Sequence, residues 1–254
     1  MAHVTLDPAR LDAVVFDMDG VITDTAAVHL AAWARLFDEV LPGLSQPGET
    51  PALPFTAEDY RRYVDGVRRE DGVARFLASR DIAVAWGSDT DGPEAVTVVG
   101  LGRRKNDYFL AELGRSGARA FGSSVALVQS LQARGLGVAL VSASRNARVV
   151  LDAAGVGTLF AVVVDGTLAA RLGLAGKPEP DLFVEAARRA GSRPDRAAVV
   201  EDALAGVAAG RAGGFALVVG VDRSGAREAL LAAGADMVVE DLAEVDVLEP
   251  DVAP

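Results

Sequence analysis

The chain has 254 residues, half of them hydrophobic, a formal charge of −11 and no Cys. That length and apolar content suit one large domain, or a domain carrying a smaller one, and exclude disordered and collagen-like chains. The missing Cys excludes disulfide scaffolds, thiol nucleophiles, iron–sulfur centres and Cys-ligated zinc, and the acidic balance argues against nucleic-acid or anionic-membrane partners.

No apolar run nears the roughly 18 residues of a membrane span. Residues 1–10 lack the basic-then-apolar order of a signal peptide, so a cytoplasmic, monomeric protein is expected. Only two of the 25 basic residues are Lys, at 105 and 177. Either this is a plain compositional bias toward Arg, or Lys is kept where a compact ammonium is needed in place of a planar guanidinium.

Residues 12–17 form an apolar run ending in an acid, which predicts a buried parallel strand. Residues 27–119 break the pattern, with helical periodicity at 27–40, 57–63, 72–80 and 103–113. Breaker-rich loops at 41–55, with four Pro, and at 87–93 separate them. Strand-like runs then recur at 137–141, 160–164, 197–200, 215–219 and 236–239. Helical stretches lie around them at 123–134, 145–154, 180–190, 204–212 and 225–233, and residues 249–254 read as a frayed tail. The alternation predicts an α/β fold, a doubly wound parallel sheet with right-handed crossovers. A Rossmann-like core would span 1–26 and 119–254, with a smaller helical cap domain, 27–118, inserted after the first strand.

Open α/β sheets bind ligands at the carboxyl ends of their strands. Asp17 and Asp19 stand at one such end, Glu201 and Asp202 at another. A single strand-end Asp is most often a turn or helix cap. Two acidic pairs on one edge repel strongly unless a cation sits among them, and an all-oxygen donor set points to Mg²⁺. Ser142 ends the 137–141 run ahead of a predicted helix, either as an ordinary cap or with neighbouring backbone N–H groups as an anion cradle. Lys177 precedes another helix. Pro178 follows it, so the segment is no P-loop, and it is either a solvated Lys or a phosphate-neutralising one.

The ordered set of Asp17 with Asp19, then Ser142, Lys177 and Glu201-Asp202, each at a predicted strand end, resembles the haloacid dehalogenase superfamily, helical-cap subclass. The resemblance implies that Asp17 is a nucleophile forming an aspartyl-phosphate and Asp19 a general acid/base. Asp17, Asp19 through its carbonyl, Glu201 and Asp202 would form the Mg²⁺ shell, while Ser142, the Ala143 amide and Lys177 would hold the transferring phosphoryl group. A second Asp at 19 argues against dehalogenation, whose leaving group takes no proton.

The segment FDMDGVITDTAAVHLAAW, residues 16–33, is similar to the β-phosphoglucomutase-like family, as are 66–71, 104–108 and 142–146. This likeness puts Thr25 and His29 at the hinge and first cap helix. It makes Arg69, Ser144, Arg145 and Asn146 ligands of a second phosphate, and Lys105 a contact to a sugar hydroxyl. Departures from the family pattern are the Lys three residues before the glycine-containing cap turn, which has no clear match and leaves the acid Asp65 before Gly66, Arg145 in place of Lys, and an extra segment at 82–102.

The implied reaction interconverts β-D-glucose 1-phosphate and glucose 6-phosphate, with glucose 1,6-bisphosphate as activating intermediate. The alternative is a sugar-phosphate phosphatase of the same fold. A signalling receiver domain is about half this length and has no cap. A silent phosphometabolite-binding protein would leave the filled catalytic positions unused.

Overall fold

The computed structural model describes residues 4–44, 53–223 and 225–249. Most of the predicted tail, and the middle of the Pro-rich 41–55 loop, lie outside the described residues.

The chain divides into two compact units, Met1–Asp24 with Ala118–Pro254, and Thr25–Gly117. The first unit begins with β1 (Val4–Leu6) and β2 (Ala13–Asp17). The second contains α1 (Ala26–Leu44), α2 (Ala57–Asp59) running into a π-helical turn Tyr60–Val64, α3 (Arg69–Ala78) and α4 (Val98–Ser116). The first unit resumes with α5 (Gly122–Ala133), β3 (Gly137–Val141), α6 (Ala147–Ala153), β4 (Val162–Val164), α7 (Gly166–Leu172) and α8 (Asp181–Arg189). It finishes with β5 (Ala197–Glu201), α9 (Leu204–Ala212), β6 (Leu217–Val221), α10 (Arg227–Ala233), β7 (Met237–Val239) and β8 (Val245–Val247).

Among the described residues, six strands form one parallel sheet in the order β4-β3-β2-β5-β6-β7. The chain leaves β2 toward β3 and β4, then returns to the other side of β2 at β5. The strand order therefore reverses at the β2/β5 boundary, where open sheets leave a crevice at their carboxyl ends. Every residue of β2 and β5 is buried, as a strand covered on both faces requires. Register pairs Asp17 with Val141 and Phe16 with Val200, so the chain beyond β2, β3 and β5 emerges on one edge.

Three elements, β1, β8 and α7, are absent from the sequence expectation. β1 and β8 pair with each other as a separate parallel ribbon, Val4 opposite Val245, so the insertion follows the second strand of the chain, which is the first of the main sheet. α7 is capped by Asp165, whose side chain accepts from the N–H groups of Thr167 and Leu168, and ends at left-handed Gly173. β6 begins two residues later than expected, at Leu217.

The 25–117 unit packs around an aromatic cluster. Trp33 and Phe37 stack at 5.4 Å, and Phe37 meets Phe76 at 4.1 Å. α1 continues through Pro42 to Leu44, beyond the break expected at 41. The Pro falls in the described last turn, behind a buried face that includes Leu36, Phe37, Val40 and Leu41. The extra 82–102 segment is partly the start of α4. Its loop is tied there by Val98 N–H to the Ala85 carbonyl (2.9 Å) and Val99 N–H to that of Trp86 (3.0 Å). The Asp91 carboxylate accepts from the Ser88 N–H and the Thr97 hydroxyl, at 3.2 and 2.7 Å.

No helix among the described residues is long and apolar enough to cross a membrane.

Candidate active site

Asp17 is the last residue of β2 and Glu201 the last of β5, so adjacent strand ends bring two buried carboxylates side by side. Lys177 arrives from the loop before α8, buried to 1% exposure, and donates to both Asp17 and Glu201. Its ammonium also lies 4.9 Å from the centre of the Phe183 ring. The other Glu201 oxygen accepts the Ala203 N–H at 2.5 Å.

Burial pushes the Asp17 carboxyl well above the usual carboxylate range, against the pull of the Lys177 charge; Glu201 and Asp19 add to the rise. Burial alone would lower the Lys177 ammonium, but the charges of Asp17 and Glu201, with hydrogen bonds to both, overcome it and raise its pKa. Asp17 and Glu201 share the Lys177 ammonium, and Asp202 stands beside them. Oxygens of Asp17, Glu201 and Asp202 lie within 4.8 Å of one another, a set of hard donors that suits a divalent cation such as Mg²⁺.

Two glycines make room for these acids. A Cβ on Gly20 would overlap the Asp202 carboxylate, and Gly20 also has φ +83°, which favours glycine. A Cβ on Gly206, in the first turn of α9, would overlap the Glu201 carboxylate. Asp19 is half-buried in the turn after β2. That turn is closed by Gly20 N–H to the Thr23 carbonyl (2.7 Å) and Thr23 N–H to that of Met18 (2.9 Å).

Ser142 follows β3 and is buried; its N–H donates to the Val164 carbonyl and its hydroxyl accepts the Ser144 N–H at 3.1 Å. Ala143 and Ser144 follow, then exposed Arg145 and half-buried Asn146. The Ser144 hydroxyl accepts the Asn146 N–H at 3.1 Å, so the loop is a pair of hydroxyl-closed turns.

Thr25, His29, Arg69 and Lys105 belong to the other unit. Thr25 is buried, and its carbonyl accepts the His29 N–H at 3.0 Å at the start of α1. The buried Lys105 ammonium meets His29 Nδ1 at 2.9 Å and lies 4.9 and 5.0 Å from the Trp33 and Phe109 rings. An ammonium has no acceptor, so Nδ1 accepts and the imidazole proton sits on Nε2. Arg69 opens α3, pairs with Glu70 at 3.6 Å and runs its stem past Gly102, where a Cβ would come within 3.3 Å of Arg69 Cγ.

The structure therefore assembles Asp17, Lys177, Glu201 and Asp202 as one cluster, and His29 with Lys105 as another. The aromatic surroundings of Lys105 were not anticipated, although Trp33 four residues after His29 and Phe109 four after Lys105 lie at helical contact spacing.

Residues 11–214 match the haloacid dehalogenase-like hydrolase family. β-Phosphoglucomutase of Mycobacterium tuberculosis is 48% identical over 242 residues, covering 94% of this chain and 92% of that protein. An uncharacterized glycosyl hydrolase of the same organism is 41% identical over 249 residues, 98% of this chain but 18% of that much longer protein. The crystal structure of β-phosphoglucomutase from Clostridium difficile shares the fold, with a TM-score of 0.71 at 24% identity over 91% of this chain and 92% of that one. The chain belongs to the haloacid dehalogenase-like family and, within it, to the β-phosphoglucomutase-like enzymes.

Proposed function

We propose that this enzyme is a Mg²⁺-dependent phosphosugar mutase that interconverts β-D-glucose 1-phosphate and glucose 6-phosphate. The observation that carries the reading is Lys177 seated between Asp17 and Glu201 with Asp202 beside them, in a chain 48% identical to a β-phosphoglucomutase along nearly its whole length. A carboxylate nucleophile, a cation for phosphoryl oxygens and a second acid two residues on are the parts that phosphoryl transfer through an aspartyl-phosphate requires.

In this reading the 6-hydroxyl of glucose 1-phosphate attacks phosphorus on phospho-Asp17. The bond from phosphorus to Asp17 breaks, and the hydroxyl proton passes to the Asp19 carboxylate. The resulting glucose 1,6-bisphosphate turns over in the site. Asp17 then attacks the phosphorus at position 1, the bond to sugar oxygen breaks, and Asp19 returns its proton to that oxygen. Lys177, the Ser142 hydroxyl and the Ala143 amide hold the transferring group. Ser144, Arg145, Asn146 and Arg69 are proposed for the second phosphate, where the guanidinium fork suits bidentate contact, and Thr25, His29 and Lys105 for the sugar. Asp17, Asp202, Glu201 and the Asp19 carbonyl would hold Mg²⁺, which would supply positive charge to the phosphoryl oxygens; the Lys177 ammonium beside Asp17 favours the ionised form that attack needs.

The Lys that the family pattern carries three residues before the glycine-containing cap turn has no clear match here, and Asp65, an acid beside Gly66, cannot grip an anion; both favour a second reading as a sugar-phosphate phosphatase. One variant tests what both readings share, and a second separates them. Asp17→Asn should abolish all phosphoryl transfer, whereas Arg69→Ala should slow isomerisation at least tenfold more than phosphate release from a small monophosphate. Equal losses in Arg69→Ala would contradict the two-phosphate reading.

A further inference from the structure

Arg223 lies two residues beyond the end of β6, outside every motif the proposed reaction uses. Its Nε donates to the Gly20 carbonyl at 3.0 Å, while Nη1 donates to the Glu240 carbonyl at 3.1 Å and meets the Asp241 carboxylate at 3.3 Å. The guanidinium lies 3.9 Å from the centre of the Phe121 ring. These contacts use the planar donor fork and the stacking face that distinguish Arg from Lys. The partners are themselves fixed: Phe121 N–H donates to the Ile22 carbonyl at 2.9 Å, and Asp241 accepts the Ala243 N–H at 2.8 Å within a capping box.

Gly20 is the residue after Asp19, and three contacts converge on it. Its Cα faces the Asp202 carboxylate closely enough to exclude any Cβ, its N–H is held by Thr23, and its carbonyl is held by Arg223. The peptide after Gly20, one unit beyond Asp19, is therefore anchored by the Arg223 side chain, while the Asp19–Gly20 peptide is held through the Gly20 N–H by the Thr23 carbonyl.

Resting on the proposed role of Asp19, we propose that Arg223 is a positioning residue for proton transfer: through the Gly20 carbonyl it sets the direction in which Asp19 presents its carboxyl. Losing that direction costs most where the leaving oxygen needs a proton. Transfer from a donor whose leaving group departs unprotonated does not need the Asp19 proton.

The test compares two donors in wild type, Arg223→Lys and Arg223→Gln, each loaded with Mg²⁺ and checked for a cooperative melting transition. Labelling of Asp17 by acetyl phosphate reads transfer without an acid. Turnover of β-glucose 1-phosphate primed with glucose 1,6-bisphosphate reads transfer with one. General acid–base catalysis contributes on the order of 10²–10⁴-fold, so a misdirected Asp19 should lower kcat by at least about tenfold in both variants. KM and the acetyl phosphate rate should stay within about threefold of wild type. Proportional losses with both donors, or no loss with either, would overturn the positioning role. If Arg223→Gln does not fold, Arg223→Lys alone decides by the same criterion. A wild type that is labelled by acetyl phosphate but shows no isomerisation removes the mutase reading instead, and the donor comparison then moves to hydrolysis of alkyl against acyl phosphates.

Discussion

Lys177 and Asp17, 160 residues apart in sequence, form a buried ion pair with the two side chains 0% and 8% exposed. Neither group could be buried alone without a heavy desolvation penalty, and Glu201 depends on the same ammonium. Removing the Lys177 charge should therefore unfold the protein more easily as well as stop phosphoryl transfer. Lys177→Met should lower stability by about 3–5 kcal/mol in urea denaturation. Added Mg²⁺ should recover part of the loss, because a cation bound among the acids replaces the missing charge. An undiminished stability in Lys177→Met would mean that the carboxylates are not held by this pair.

Gly206 opposes two effects that can be told apart. Helix propensity favours Ala over Gly inside a helix by about 1 kcal/mol, yet a Cβ at this position overlaps the Glu201 carboxylate. Overpacking typically costs about 1–3 kcal/mol, so Gly206→Ala should melt at a lower temperature and turn over more slowly. A raised melting temperature would show that Glu201 has room to move.

His29 and Lys105 should act as a unit. Their 2.9 Å contact and the shared Phe109 ring, 4.2 Å from the imidazole, make their contributions interdependent. A double-mutant cycle with His29→Gln and Lys105→Met, read in kcat/KM, should give a coupling of at least about 0.5 kcal/mol, the lower end for contacting residues. Additive losses would mean that each residue works alone.

The surface offers a pH test whose sign is set by geometry. Arg188 hydrogen-bonds Glu185 at 2.8 and 2.9 Å, and Arg189 does so at 2.6 Å. Together they hold the Glu185 carboxyl at about 2 instead of 4.5. A depressed carboxylate pKa stabilises the fold above the unfolded value, and that contribution is lost as pH falls through the folded one. Wild type should thus exceed Glu185→Gln in stability at neutral pH by no more than about 1 kcal/mol. The gap should close between pH 4.5 and 2. A gap independent of pH would exclude the ion pairs as its source.

The acids around Asp17 are legible in the sequence because each ends or closely follows an apolar strand run, and strand ends in a parallel sheet share one edge; Lys177 lies beyond α7 and is marked instead by being one of two Lys in the sequence. α7 carries an Asp165 cap and a Gly173 stop, and its signals lie in the residues although its seven-residue length hides the period. β1 and β8 are not legible, since three-residue strands gain their meaning only from a partner 241 positions away, Val4 against Val245. Arg223 is missed for a related reason. Its value lies in reaching a carbonyl 203 residues earlier, and one Arg among 23 carries no local mark.

The central claim is net movement of phosphate from position 1 to position 6 of the sugar by exchange through Asp17. The most direct test incubates the enzyme with Mg²⁺ and β-glucose 1-phosphate, primed with a trace of glucose 1,6-bisphosphate, while ³¹P NMR follows glucose 6-phosphate and inorganic phosphate together. The account predicts rapid accumulation of glucose 6-phosphate with little free phosphate. Free phosphate accumulating without glucose 6-phosphate would contradict it and make the enzyme a phosphatase.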